Sequence, residues 1–517
     1  MAGLGHSVVG VSLARITTFA LDGVESRPVW VEADIRTGLP AFTVVGLADK
    51  AVREARERVR AAIVNSGFEF PNRRITVNLA PAYLHKVGPS FDLPLAVAVL
   101  VAAGQIPADA LEDCAVVGEL SLAGQVRPIR GVLAIAEGTR RRGIGRLFVP
   151  IERAREASLV EGIEICGVRS LREIVDVLHG RCAPAPVPPP LEPDDAEPPH
   201  DLPDFSDVRG HNVLIGAVEV AAAGGHNLYM HGPPGTGKTM IARRIGSILP
   251  PLTPEEAIGV TRIHSVAGLH GGGGLVEQRP FRAPHHTISP SGLVGGGSSP
   301  TPGEVTLAHH GVLFLDELSE FPRSSLEALR QPLEDGRIAI VRGQRLVVYP
   351  SSCMLIAAAN PCPCGMGEPS CRCTAADLSR HQRRLSGPLL DRIDVTLLVD
   401  RPTAEALETQ TAPSSAEIRA RVIAARERQV RRFARTEVTT NAQMTPRMLR
   451  ELTDATSSAV RMLYDLHDRE RLSARGHARV LRVARTVADL AGSDSVHSEH
   501  VSAAAHLRTD AAAAVPA

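Results

Sequence analysis

"HNLYMHGPPGTGKTMIARRI", residues 226–245, decides how this chain is read. A short apolar run meets a glycine-proline turn, and a helical pattern begins at Lys238. Gly232 to Thr239 satisfy G-x-x-x-x-G-K-[ST] in full. In such a loop the glycines let backbone N–H groups wrap phosphate oxygens, the lysine reaches the β- and γ-phosphates, and the hydroxyl ligates magnesium. Gly232, Pro233, Pro234, Gly235, Thr236 and Gly237 are thus expected to cradle the phosphates of ATP, beside Lys238 and Thr239. A chance glycine turn would not place a strand before the loop and a helix after it.

The loop's partners lie downstream. "VLFLDE" (312–317) reads as a buried strand ending in two carboxylates. Asp316 is expected to hold Mg2+, directly or through water, and Glu317 to polarise the attacking water. "AAAN" ends a third strand at Asn360, whose amide would orient the same water. "SGPLLDRID" (386–394) carries Arg392, expected to act as an arginine finger at a subunit boundary. "LSARGHARVLRVARTVADL" (472–490) sets Arg475, Arg479 and Arg482 at helical spacing. Arg475 is expected to touch the γ-phosphate and the other two to serve structure.

The whole chain bounds these readings. It has 517 residues, 44% hydrophobic and 22% charged, which fits a folded soluble protein of two or three domains. No apolar run is long enough for a transmembrane helix. The N-terminus lacks the pattern of a signal peptide, so a cytoplasmic setting with reduced thiols is expected. Formal net charge is zero, so any nucleic-acid contact must come from local basic patches. Lysine occurs only as Lys50, Lys86 and Lys238. Coding bias toward arginine accounts for this, and a lysine that survives it is expected to do what arginine cannot. Lys50 and Lys86 are candidates for a phosphate or nucleic-acid contact.

Composition divides the chain. CAPAPVPPPLEPDDAEPPH (182–200) reads as an extended, acidic, proline-rich linker. Before it, residues 1–181 mix strands and helices: 51–67 has helical periodicity, 74–81 alternates like a strand, and 91–104 reads as a buried helix. After it, residues 201–401 alternate short apolar strands with helices, the signature of a parallel α/β sheet. Residues 402–510 read as an all-helical domain.

Three further stretches carry chemistry. "NPCPCGMGEPSCRC" (360–373) gathers four of the eight cysteines. Cys362, Cys364, Cys371 and Cys373 are candidates for one structural Zn2+, because four thiolates in a reducing compartment suit tetrahedral zinc. The alternative is a set of free cysteines in a glycine-proline loop. Residues 268–304 hold two glycine-rich hinges around RPFRAPHH, which suits a mobile element at a ring pore. Arg279, Arg282, His285 and His286 would then face a DNA phosphate backbone. RIAIVRGQRLVVYP (337–350) reads as a hairpin turning at Gly343-Gln344, with Arg342 and Arg345 as further DNA-contact candidates.

Taken in order, these motifs resemble an AAA+ ATPase of the magnesium-chelatase-like branch. "PFRAPHHTIS", "GEVTLAHHGVLFLDEL", "NPCPCG", "CRC" and "LSGPLLDRIDV" together resemble the ComM (YifB) family over nearly the whole chain. His211 stands where that branch more often has Gln. The resemblance implies a hexameric DNA helicase associated with branch migration during natural transformation. "HKVGPSFDLP" (85–94) and "VVGELSLAGQVRPIRG" (116–131) resemble the proteolytic domain of the Lon family, an α+β fold with a serine–lysine dyad. Ser90 stands at the nucleophile's place and Leu133 where the lysine should be, so the fold is expected to be kept and the peptidase chemistry lost.

The expected architecture is therefore a degenerate Lon-protease-like N-terminal domain, a linker, an AAA+ core and a helical lid. ATP would sit between protomers of a DNA-bound homo-hexamer, away from membranes. An ATP-dependent protease or unfoldase is the first rival, disfavoured by the missing lysine. A tetrapyrrole metal-chelatase subunit is the second, not expected to carry the N-terminal domain or the cysteines.

Overall fold

Alternating side chains build the first sheet. The computed structural model describes residues 12–46, 49–187, 202–297, 300–342, 345–367, 370–384, 387–470 and 472–508. Ser12–Asp22 and Glu25–Arg36 pair antiparallel, from Ser12 opposite Ile35 to Asp22 opposite Glu25. Val29, Val31, Ala33 and Ile35 are buried at every second position, so one face of the pair turns to the core. The sheet has seven strands, in the order Ala41–Val45, Arg74–Ala80, Glu25–Arg36, Ser12–Asp22, Cys114–Val116, Arg146–Pro150, Glu164–Val168. Helix Asp92–Ala102 is buried at every residue, as a helix apolar on all sides must be. Its first residue, Asp92, takes two hydrogen bonds from Arg58, at 2.7 and 2.9 Å.

The chain forms two compact units. The first runs to residue 196 and also takes in Ala257–Val276 and Ser299–Thr301. A division made along the chain does not provide for this return. Its physical basis is a buried acid. Glu156 accepts hydrogen bonds from the Leu133 amide at 3.0 Å and from the Ser265 hydroxyl. Arg262 adds a bond to Glu137 at 3.0 Å, and Arg153 caps the His270 carbonyl at 2.6 Å. The expected linker, 182–200, lies outside the described residues from 188 onward.

The second unit holds a parallel five-stranded sheet. Its order is Phe281–Arg282, Val312–Leu315, Met354–Ala359, Leu228–His231, Val395–Leu398. The three middle strands are buried at every position, which is why they read as unbroken apolar runs. The tract expected to be a mobile pore element contributes the edge strand Phe281–Arg282 instead, with Phe281 opposite Val312.

Helices Ser415–Phe433, Ser457–Glu470, Ala474–Leu490 and Ser498–His506 form the C-terminal part. A buried polar chain ties them to the sheet. His226 bonds Asp394 at 3.1 Å and the Thr486 hydroxyl at 2.7 Å. The Asn441 amide donates to the same hydroxyl at 3.0 Å and to Asp489 at 2.8 Å. His226, Asp394, Thr486, Asn441 and Asp489 each have a partner in this chain, so the network favours one docking of helices on strands. Among the described residues no helix is long and apolar enough to cross a membrane.

Candidate active site

The strand Leu228–His231 ends at Gly232, where only glycine fits: a side-chain carbon there would lie 2.1 Å from the Val399 carbonyl oxygen. Gly235 and Gly237 have φ of 77° and 80°, the left-handed region that glycine enters without steric cost. Helix Lys238–Ile248 starts directly after them, so unpaired backbone N–H groups and the positive end of the helix dipole face the loop. Thr236 closes the turn on the Pro233 carbonyl at 2.9 Å. Lys238 is buried and donates to the carbonyls of Gly232 and Pro233 at 2.6 and 2.7 Å. Burial pushes its ammonium below the usual lysine range, and the charge of Asp316 opposes that shift. His211 reaches the same loop, 3.3 Å from where a side-chain carbon on Gly237 would lie.

Strand Val312–Leu315 delivers the acids. The Thr239 hydroxyl donates to Asp316 at 2.7 Å. A hydroxyl and a carboxylate meeting at the phosphate loop are hard oxygen donors, the set magnesium takes alongside substrate phosphates. The Glu317 amide fixes the other Asp316 oxygen at 3.0 Å. Glu317 itself sits at φ 53°, a conformation that costs a non-glycine residue about 1–3 kcal/mol and clusters at functional sites. Its carboxylate lies 3.5 Å from His286 Nδ1, and the His286 ring meets Phe321 edge-on.

Asn360 follows strand Met354–Ala359, and its carbonyl takes a 3.0 Å bond from His381. Arg392 bonds Glu334. That hydrogen bond holds the Glu334 carboxyl below the usual range, with Arg475 and Arg330 adding to it. Glu334 is thus bonded to Arg392 and feels the charge of Arg475. Arg479 binds the carbonyls of Leu390 and Ile393, and Arg482 that of Met444.

Three models of magnesium-chelatase proteins match this chain. "Magnesium chelatase, subunit ChlI" covers residues 204–407, "Subunit ChlI of Mg-chelatase" 31–153, and "Magnesium chelatase, subunit ChlI C-terminal" 412–508. The protein YifB of Escherichia coli is 41% identical over 502 residues, 96% of this chain and 97% of that one. Competence protein ComM of Haemophilus influenzae is 38% identical over 507 residues, 96% of this chain and 98% of its own. The chain belongs to the magnesium-chelatase-like ComM/YifB family. Its N-terminal likeness to Lon protease 2 of Bacillus subtilis is weaker: 28% identity over 148 residues, 27% of this chain.

In this ComM/YifB chain the four cysteines converge. The Sγ atoms of Cys362, Cys364, Cys371 and Cys373 all lie within 4.8 Å of one another. Cys362 is 3.2 Å from Cys364 and 3.6 Å from Cys371, and Cys364 is 3.9 Å from Cys371. Zinc–sulfur bonds of about 2.3 Å in a tetrahedron set sulfurs about 3.8 Å apart, so the donor set fits that ion. Backbone N–H groups of Arg372 and Met366 draw the Cys364 thiol down to about 6.

The DNA-contact candidates separate. Arg279 is spent inside the chain, on the carbonyls of Pro250 and His310 at 2.7 and 2.6 Å and on Glu256 at 2.7 Å. Arg282 grips Glu304 with bonds of 2.6 and 2.9 Å. In this structure both guanidiniums are held by acids of the same chain, so a DNA contact would require them to exchange these partners. His286 faces Glu317, while His285 is exposed and bonds the Thr287 hydroxyl at 2.9 Å. Strands Arg337–Arg342 and Arg345–Pro350 pair as the expected hairpin, with Arg342 opposite Arg345. The turn and these two side chains lie outside the described residues.

In the N-terminal unit Ser90 lies in the short turn Pro89–Phe91, and among the described residues no base is hydrogen-bonded to its hydroxyl. Leu133 is fully buried in helix Val132–Arg141. Lys86 is fully buried too, its ammonium on the Pro81 carbonyl. Burial corrects the expectation that Lys86 contacts phosphate. The Lys50 side chain lies outside the described ones. His286 beside Glu317 and Glu334 beside Arg392 are relations that sequence reading missed. Only the pairing of the edge strand with Val312–Leu315 brings the first about.

Proposed function

We propose that this chain is an ATP-dependent, ring-forming DNA motor, a helicase or branch-migration factor in recombination or natural transformation. The observation that carries it is the Thr239–Asp316 contact at the phosphate loop, with Glu317 next in the chain, in a family whose Haemophilus relative is named a competence protein. Lys238, Thr239 and the loop's N–H groups would hold ATP·Mg2+, and Asp316 would complete the oxygen set. Magnesium, when bound, supplies charge neutralisation on the phosphates. Glu317 then takes the proton of the attacking water, His286 aims its carboxylate, and the Asn360 amide orients the water. Arg392 and Arg475 serve as the positive charges that stabilise phosphoryl transfer, Arg392 across a subunit boundary. That role requires Arg392 to leave Glu334 when protomers assemble, six to a ring.

The first unit is a Lon-protease-like domain without peptidase chemistry, since Leu133 replaces the base. The four thiolates hold one structural Zn2+. The hairpin 337–350, with Arg342 and Arg345, and His285 are the remaining DNA-contact candidates. Glu317→Gln with ATP should sediment as a larger species than without nucleotide, and forked or four-way DNA should raise the wild-type ATPase rate. A monomer under every nucleotide condition, with a rate indifferent to DNA, removes the motor reading.

A further inference from the structure

We propose that the four-cysteine knuckle, closed by one zinc ion, is the seat against which the phosphate loop is held, so that nucleotide affinity depends on the metal. The proposal rests on the nucleotide reading of Gly232–Thr239. The first observation is that the sequence of residues 360–373 offers almost nothing for an apolar core. Beyond cysteine and proline, their one large apolar side chain is Met366, which is 44% exposed. A loop so poor in burial needs another cross-link to hold its shape, and four gathered thiolates supply it. A closed set of four sulfurs leaves no open position, which marks a structural rather than a catalytic ion.

The second observation is where the knuckle sits. Gly365 closes its first turn on the Cys362 carbonyl at 2.9 Å with φ of 78°. A side-chain carbon on Gly365 would lie 3.1 Å from Cδ and 3.3 Å from Cγ of Pro234. The turn therefore rests on the outer wall of the phosphate loop. Pro234 has a fixed φ and no N–H, so the wall is stiff and transmits a push. On the other side the knuckle begins directly after Asn360, whose carbonyl is held by His381. The knuckle thus touches the phosphate loop through Gly365 and Pro234 and follows directly in the chain on Asn360, the residue expected to orient the water.

Loss of the metal would let the turn relax and Pro234 shift, and the cradle would no longer match the phosphates. The full chain, purified reduced and without chelator, should carry about one zinc per chain by elemental analysis. The Cys371→Ser/Cys373→Ser double variant should lose it. Binding of a fluorescent ATP analogue, read without turnover, should then weaken about tenfold. Gly365→Ala keeps all four thiolates and tests the seat directly: it should retain zinc yet weaken the analogue comparably. This variant also decides the matter if the double variant fails to fold.

Wild type with less than about a tenth of an equivalent of zinc overturns the proposal. So does unchanged analogue affinity in both the double variant and Gly365→Ala. A chain that holds zinc but binds no ATP analogue at all overturns the nucleotide reading, and the proposal with it. Binding that survives zinc loss unchanged overturns the proposal alone.

Discussion

Lys86 and Lys238 are both buried lysines, one in each unit, and both donate to a proline carbonyl. Their surroundings differ. Lys238 stands at the start of a helix, beside a glycine cradle, with the charge of Asp316 supporting its protonated form. Lys86 has burial alone acting on it, pushing its ammonium below the usual lysine range. Burial makes a lysine unusual in both places, but only the arrangement of N–H groups and carboxylates around Lys238 offers a site for a polyanion. A perturbed lysine is thus a pointer to function only when its neighbours complete a chemistry.

The largest expected effect breaks the comparison at its functional end. Lys238→Ala should lower the ATPase rate by at least about a hundredfold with an unchanged circular-dichroism spectrum. A wild-type rate would place the phosphate chemistry elsewhere. His286→Ala should lower kcat about tenfold while leaving KM for ATP nearly unchanged, because it frees the Glu317 carboxylate without touching the loop. His286→Gln should restore part of it by offering a donor from the same position. A rise in KM instead would mean that the histidine serves binding.

Lys86→Met sharpens the structural end, and its readout is stability against pH. A lysine whose folded pKa lies below its unfolded one binds fewer protons when folded, so wild type should gain stability as pH rises through that window. The penalty is fully present below the folded pKa and gone above the ordinary lysine value. Lys86→Met should flatten that rise in denaturant midpoints, while ATPase activity remains. An unchanged slope would mean that the Pro81 carbonyl compensates the burial in full. The smallest effect is expected from Ser90→Ala, which should alter neither ATPase activity nor DNA response, and wild type should not cleave casein with ATP. ATP-dependent cleavage lost on this substitution would restore the peptidase reading.

Much of the proposed nucleotide site is legible before folding because its chemistry is local. Gly232 to Thr239 are contiguous, and backbone geometry within eight residues decides what they cradle. The carboxylates of Asp316 and Glu317 are legible because an unbroken apolar run announces the buried parallel strand that carries them. The cysteine cluster is legible as a ligand set from residue type, but not its seat on Pro234. Arg279 and Arg282 illustrate the opposite case. Their basic, glycine-flanked context suggests a mobile DNA-facing loop, yet Glu256 and Glu304 capture them once Phe281–Arg282 joins the sheet edge.

By itself, then, the sequence determined the class of the molecule: a phosphate loop on a parallel sheet, a helical C-terminal part, an N-terminal unit lacking the dyad lysine, and four thiols in one loop. Only the tertiary structure decided that His286 meets Glu317, that Arg392 pairs with Glu334, and that Ala257–Val276 returns to the first unit. The physical reason is range. Motif chemistry depends on neighbours along the chain, whereas a long arginine or a histidine ring takes whichever acid the packing of distant strands and helices brings within about 3 Å.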